Sequence, residues 1–318
     1  MESNSRPVEG EYLHLNFRVH RNRRIDLLPS FHLPGNVPTP TVAPSGPLAF
    51  ELRGPDGQVF GFYRCHQDML ADPGAPFLDY HEVVPWNTLT ATLGFFFDGD
   101  QVEVLEVEES APEMTTRPAM TSQRQKATCQ WGASHRDRGE ESITYLVRYS
   151  NDGGATWRAI AAGLTEPSLE ADLDNLPGGE RCILQVVASA GIRTTTVETE
   201  PFAVEVKPRR AYIVSPDPGA SFREGDSVVF GGLGFSPDFG TATFDETVWT
   251  SNIAGFIGSG FEVVTNTLAR GVHMVRLGVA DGLGGETSTH VQINIEPRDT
   301  DRPLPRPPEG VAEVRLIK

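Results

Sequence analysis

The only crowding of reactive side chains in this 318-residue sequence is Cys65-His66 with Asp68, Asp79 and His81. A thiol beside an imidazole is the pairing of a cysteine nucleophile with its base, and the same residue types also ligate zinc. Either chemistry needs the side chains on one face. Cys65 and His66 are neighbours at the end of an alternating run, so on a strand they point to opposite faces, which argues against a joint role. Other nucleophile signatures are absent: there is no GxSxG elbow, HExxH helix or Walker loop, and no strand-helix-strand spacing to carry a cofactor. Three cysteines without CxxC spacing form neither a disulfide framework nor a zinc site. The chain therefore reads as non-catalytic, without a cofactor.

Residues 150–157, SNDGGATW, match the Asp-box pattern Ser/Thr-x-Asp-x-Gly-x-Thr-Trp of sialidases. Its physics is that of a tight hairpin: Asp152 accepts backbone amides, Gly154 takes a positive φ, and Trp157 packs the turn on its sheet. A sialidase propeller repeats the box in several blades, whereas here it occurs once. Asp152, Gly154 and Trp157 are thus expected to be a structural brace.

Charge narrows the partners. The net charge is −16, most of it in the first 113 residues, and so acidic a surface repels nucleic acid and anionic membrane. The basic exception, Arg18, Arg21, Arg23 and Arg24, flanks an expected hairpin tip and reads as solvated edge charge. Glu103, Glu106, Glu108 and Glu109 read the same way, as an edge protected from pairing. No apolar run reaches membrane-span length, so no membrane insertion is expected.

The elements that must position these residues are short strands. Glycine (32) and proline (25) punctuate the chain at the spacing of all-β sandwiches. Hairpins are expected over 11–33 and 48–65, the second with the tip Gly54-Pro55-Asp56-Gly57. Strands over 77–84, 88–97 and 102–107 complete about seven, enough for one sandwich. After Ser110-Ala111-Pro112 the pattern resets into strands over 127–133, 144–150, 157–161, 168–173, 182–189 and 194–206. A third set runs over 212–214, 227–232, 247–251, 261–265, 272–281 and 287–296. The expected fold class is all-β, three consecutive antiparallel sandwiches: 1–112, 113–206 and 207–296, with a Pro-rich tail over 297–318.

The middle segment resembles a fibronectin type III domain of the bacterial kind found beside secreted hydrolases. The resemblance rests on Trp131 at the core position of the second strand, Tyr145-Leu146-Val147-Arg148-Tyr149 as the third strand, and Leu176-Pro177-Gly178-Gly179 leading into the sixth. The family usually has a tyrosine where this chain has Cys182, so the tyrosine-corner bond is missing. In that topology strands two and six start at similar height on opposite sheets. Cys129 and Cys182 could then form an inter-sheet disulfide, worth about 3–4 kcal/mol, or remain two buried thiols. The third segment, with Gly225–Phe230, Val248-Trp249 and Gly271–Gly282, resembles PKD-like and related bacterial immunoglobulin-like modules. Some of these bind calcium through loop aspartates, which makes Asp217, Asp238 and Asp281 the positions to test, although no dense Asp/Asn cluster supports them. The first segment, with Val83-Val84-Pro85-Trp86 before Thr90–Phe97, looks like the sandwich that often precedes such modules.

Together these readings imply a protein-binding, scaffolding or accessory chain, a subunit or substrate of a larger bacterial assembly or protease system. The alternative is a carbohydrate- or cell-surface-binding region of a secreted hydrolase, favoured by aromatics grouped on one sheet face and disfavoured by buried Trp86, Trp157 and Trp249. Val311, Val314 and Leu316 in the tail alternate as an added partner strand would. The absence of a signal at Met1 gives the expectation of an intracellular or cell-associated protein, and the resemblance favours secretion.

Overall fold

The structure is a computed structural model that describes residues 10–35, 46–65, 75–123, 126–136 and 142–298. The fold is all-β, built of sheets that are antiparallel except where residues 221–223 meet 294–296 and that pack in pairs as sandwiches. The described residues gather into two compact units, one within 1–173 and 178–204, the other from 174–177 and from 205 onward.

The first sandwich uses β1 (Gly10–His20), β2 (Ile25–Leu27), β3 (Phe31–Gly35), β4 (Leu48–Arg53), β5 (Val59–Arg64), β6 (Phe77–Pro85), β7 (Thr92–Phe97) and β8 (Asp100–Glu106). One sheet pairs β1 with β2 and β3 along one edge and with β6 along the other; the second has the order β5-β4-β7-β8. Alternation sets the core: Leu13, Leu15 and Phe17 of β1 meet Phe50 and Leu52 of β4 and Leu93 and Phe95 of β7. The strand expected from Thr88 begins only at Thr92, because Asn87 ties a turn. Its side chain accepts the Leu89 amide at 2.9 Å and its carbonyl the Thr90 amide at 2.9 Å.

The second sandwich has β9 (Glu113–Gln123), β10 (Lys126–Ser134), β11 (Thr144–Ser150), β12 (Arg158–Leu164), β13 (Ser168–Asp172), β14 (Gly179–Ser189), β15 (Thr194–Glu198) and β16 (Phe202–Val204). Sheet β13-β10-β9 faces sheet β12-β11-β14-β15, and β16 pairs with the start of β14. β9 has no counterpart in the sequence reading, and the strand expected over 194–206 is two strands interrupted at Thr199, whose hydroxyl accepts the Leu184 amide at 3.1 Å. Trp131 and Tyr145 meet edge to face in the core, ring centroids 5.3 Å apart.

Both sandwiches lie in the first unit, and their outer faces pack together. Phe31 and Leu33 cluster with Leu146 and Val187. The β14–β15 turn enters the first sandwich: Ile192 joins its core, Arg193 donates to the carbonyls of Thr88, Thr90 and Glu108, and Thr194 Oγ1 donates to His32 O at 2.7 Å. Glu108, expected as solvated edge charge, accepts the Ile192 amide at 3.3 Å.

The second unit holds β17 (Arg210–Ser215), β18 (Ser221–Arg223), β19 (Val228–Ser236), β20 (Gly240–Thr241), β21 (Thr247–Ser251), β22 (Gly255–Ser259), β23 (Glu262–Thr265), β24 (Gly271–Ala280) and β25 (Glu286–Glu296). Sheet β17-β19-β20, with β23 also on β19, packs on β18-β25-β24-β21-β22. β18 pairs parallel to β25, so the first strand of this sandwich divides between the two sheets. Trp249 is fully buried against Phe230, Leu277 and Ile293 and donates its indole N–H to Gly260 O at 2.9 Å.

Candidate functional site

In the first unit a groove of about 700 Å³ opens between the outer face of β1, β3 and β6 and the outer face of β11 and β12. Period-2 alternation builds it. On β1, Leu13, Leu15 and Phe17 turn inward, which sends His14 and Asn16 outward, and antiparallel register puts His81 opposite Asn16 and Phe31 opposite His14. From the other side, Tyr145, Val147 and Tyr149 turn inward and present Leu146 and Arg148. Apolar Phe31, Leu33 and Leu146 form the floor; Trp157, Ala159, Ala162 and Gly163 form one wall, and Asp79, Tyr80 and His81 the other.

Its charges are unevenly satisfied. Arg18 grips Asp79 with two bonds of 2.7 and 2.8 Å, and that fork holds the carboxyl below its usual pKa range. His81 Nδ1 lies 2.6 Å from Asn16 Oδ1, and its ring centroid is 5.8 Å from that of His14. Burial, followed by the fields of His81 and Arg148, lowers the His14 pKa. Arg148 bonds the amide oxygen of Gln185, through Nε at 2.9 Å and also through Nη2, and lies 5.2 Å over the Trp157 ring. Burial lowers its pKa too, partly offset by Glu198, which Gln185 bonds at 3.0 Å. The groove thus combines an apolar floor with a half-buried guanidinium whose hydrogen bonds end on a neutral amide.

The described members of the cysteine cluster read from the sequence, Cys65, Asp79 and His81, are not brought together. Cys65 is 1% exposed in the core near Tyr80 and Glu82, and burial pushes its thiol far up, away from a reactive thiolate. Asp79 and His81 lie on the opposite face of β6, and His66 and Asp68 fall outside the described residues. Cys129 and Cys182 are both buried free thiols, without the disulfide weighed above. The Cys182 sulfur instead accepts the Tyr149 hydroxyl at 3.0 Å. Burial pushes the Cys129 thiol up to about 11.

Around Asp152 the geometry is that of a hairpin brace. Its carboxylate accepts the Thr156 hydroxyl at 2.6 Å, the Thr156 amide at 2.9 Å and the Ser150 hydroxyl at 2.7 Å, which together hold it far below the usual carboxylate range. Gly153 and Gly154 have φ of 77° and 95°, and a Cβ on Gly154 would lie 3.4 Å from the Trp157 ring. The brace thereby fixes Trp157 at the rim of the groove.

The three calcium candidates are not brought together: among the described residues no group of three or more His, Cys, Asp or Glu could hold a metal ion. Asp281 Oδ1 caps its own turn on the amides of Leu283 (2.7 Å) and Gly285 (2.9 Å), Asp238 accepts the Lys207 amide at 2.8 Å, and the Asp217 carbonyl accepts that of Ala220 at 3.1 Å. Val311, Val314 and Leu316 lie outside the described residues.

Two features of the second unit have no counterpart in the sequence reading. Ser251 Oγ and His273 Nδ1 are 2.8 Å apart, and His273 Nε2 lies 2.7 Å from Ala269 O. This is the geometry of a serine with its base, yet His273 is 0% exposed and Ser251 Oγ also accepts the amides of Ile253 and Ala254, so the pair locks β21 to β24. The outer face of β17, β19 and β23 exposes Tyr212, Val214, Val229, Phe235 and Val264. Only period-2 parity, applied to short and apolar strands, would have found it.

No family model matches the chain, and no curated protein matches it. Among solved structures it is similar to the fibronectin(III)-like modules of Clostridium thermocellum CbhA at 13% identity, over 58% of this chain and 94% of that one, with a TM-score of 0.25. The chicken CNTN1 FN1-FN3 domains match at 8% identity over 91% and 98% of the two chains, TM-score 0.22. The full ectodomain (Ig1-Ig3) of mouse nectin-like molecule 4 matches at 13% identity over 83% and 92%, TM-score 0.24.

Proposed function

We propose that the chain is a non-catalytic protein-binding module, an adaptor or accessory part of a larger assembly, and that the groove of the first unit is its recognition site. The observation that carries this reading is the groove itself: a concavity in the size range of ligand sites, apolar at its floor, with a few polar groups converging on it. The burial of Cys65 and its separation from Asp79 and His81 support the non-catalytic part of the reading, since the one suspected nucleophile lacks solvent access and lies across the sheet from those two side chains. Of the three tryptophans that bear on the glycan-binding alternative, Trp86 and Trp249 are buried in cores and count against it, whereas Trp157 is half-buried at the groove rim and does not.

The test is selection of binders from a random peptide display on the full chain, repeated on an Ala159→Trp variant. Ala159 is exposed on the groove wall, so the indole fills the groove without entering a core. Peptides that bind the wild-type chain and lose that binding with Ala159→Trp support the reading. Peptides that bind both equally place recognition elsewhere and overturn it.

A further inference from the structure

We infer that the groove binds an extended peptide segment of a partner protein in which an acidic side chain is flanked by apolar ones, the carboxylate pairing with Arg148. The inference deepens the reading above and rests on it.

Charge is the first support. Asp79, the groove's own carboxylate, is taken up by both arms of the Arg18 fork. Arg148 has no such partner: its Nε and Nη2 both end on the neutral oxygen of Gln185, and its Nη1 makes no hydrogen bond to the described residues. Arg148 is half-buried, and the carboxylate acting on it, Glu198, is bonded to Gln185 and makes no bond to the guanidinium itself, so an incoming carboxylate gains charge-assisted hydrogen bonds there. His14 and His81 line the same groove and add no negative charge. On a chain of net charge −16, an apolar groove whose guanidinium makes no direct bond to a carboxylate among the described residues is a site of selective attraction for an acidic ligand.

Shape is the second. The walls belong to β6, whose only strand partner among the described residues is β1, and to β12, whose only one is β11. Each therefore has an edge without a strand partner among the described residues, the feature that an extended segment recognises by main-chain hydrogen bonds. Ala159, Ala162 and Gly163 keep the β12 wall low, and Phe31, Leu33 and Leu146 supply apolar floor for alternate side chains of such a segment.

The probes are two pools of seven-residue peptides with blocked ends, random in Val, Leu and Phe at six positions, with Glu at the centre of one pool and Gln at the centre of the other. Binding of each to the full chain is measured by fluorescence polarisation. The Glu pool should bind about tenfold tighter than the Gln pool, the order of one charge-assisted hydrogen bond. Arg148→Gln should abolish the difference, and Arg148→Lys, which keeps the charge without the fork, should retain part of it. Thermal unfolding of both variants checks that they fold, and the Lys variant decides the matter if the Gln variant does not. Equal binding of the two pools to the wild-type chain overturns the carboxylate assignment while the groove stands. Binding of neither pool, or binding that Ala159→Trp leaves unchanged, overturns the groove and the assignment with it.

Discussion

At the residue scale, the side chains that looked reactive in the sequence are mostly structural, and burial makes them so. Cys65, Cys129 and Cys182 are buried thiols, so titration of the unfolded, unreduced protein should return three thiols, and the native protein should react slowly with a thiol reagent. A return of one thiol would reveal a Cys129–Cys182 bond. The role of Asp152 was legible, because the spacing of Ser150, Asp152, Gly154 and Trp157 specifies the hairpin by local chemistry alone. Its carboxylate is held below the usual range in the folded state, so its stabilisation is present above the unfolded pKa and disappears as pH falls through the folded value. Asp152→Ala should loosen the hairpin and, by freeing Trp157, weaken peptide binding; unchanged hydrogen exchange in 150–158 would contradict this. Arg148 was legible only as a strand residue. Its place in the groove depends on the covering of its sheet by another sandwich, which no local pattern specifies.

At the element scale, β14 holds the lesson about reading faces. Parity correctly put Cys182, Leu184, Val186 and Ala188 toward the sandwich core, yet Ile183, Val187 and Ser189 are buried as well. An uninterrupted buried run marks a strand covered on both sides, and here Phe31 and Leu33 of β3 cover Val187 while the Ser30 carbonyl accepts the Ser189 hydroxyl. The run CILQVVAS in the sequence carried that signal. The β14–β15 turn seals the junction, so Ile192→Asp should destabilise the first unit by about 3 kcal/mol or more, by placing a charge in its core; a loss under about 1 kcal/mol in denaturant melts would refute the packing. The junction should also sense pH. His14 and His32 have pKa values lowered chiefly by burial, with His81 and Arg148 facing the first and Glu11 and Arg193 the second. Below pH about 6.5 the unfolded chain binds more protons at these sites than the folded one, so their contribution to stability falls as pH drops through the folded values. The midpoint difference between wild type and His14→Gln/His32→Gln should therefore shift against the wild type from pH 7.5 to 5.5. A constant difference would contradict the linkage.

At the scale of the whole molecule, turn spacing and alternation were enough for three sandwiches, since each strand needs only one buried face. They were silent on the packing of the first two into one unit, because that contact joins residues far apart in sequence, Ser189 with Ser30 and Arg193 with Thr88 and Thr90. Joined in this way, the first two sandwiches should unfold in one cooperative step. Separate transitions for Trp86 and Trp131, each followed as the sole remaining tryptophan, would contradict that.

The groove exists only because of that packing, and its role in recognition is the claim on which the functional reading turns. Amide shift mapping of the full chain during titration with the Glu-centred peptide pool tests it most directly. Shifts concentrated at Asn16, Tyr80-His81, Arg148 and Ala159–Gly163 are the predicted result. Shifts confined to the second unit, or none at saturating peptide, would contradict it.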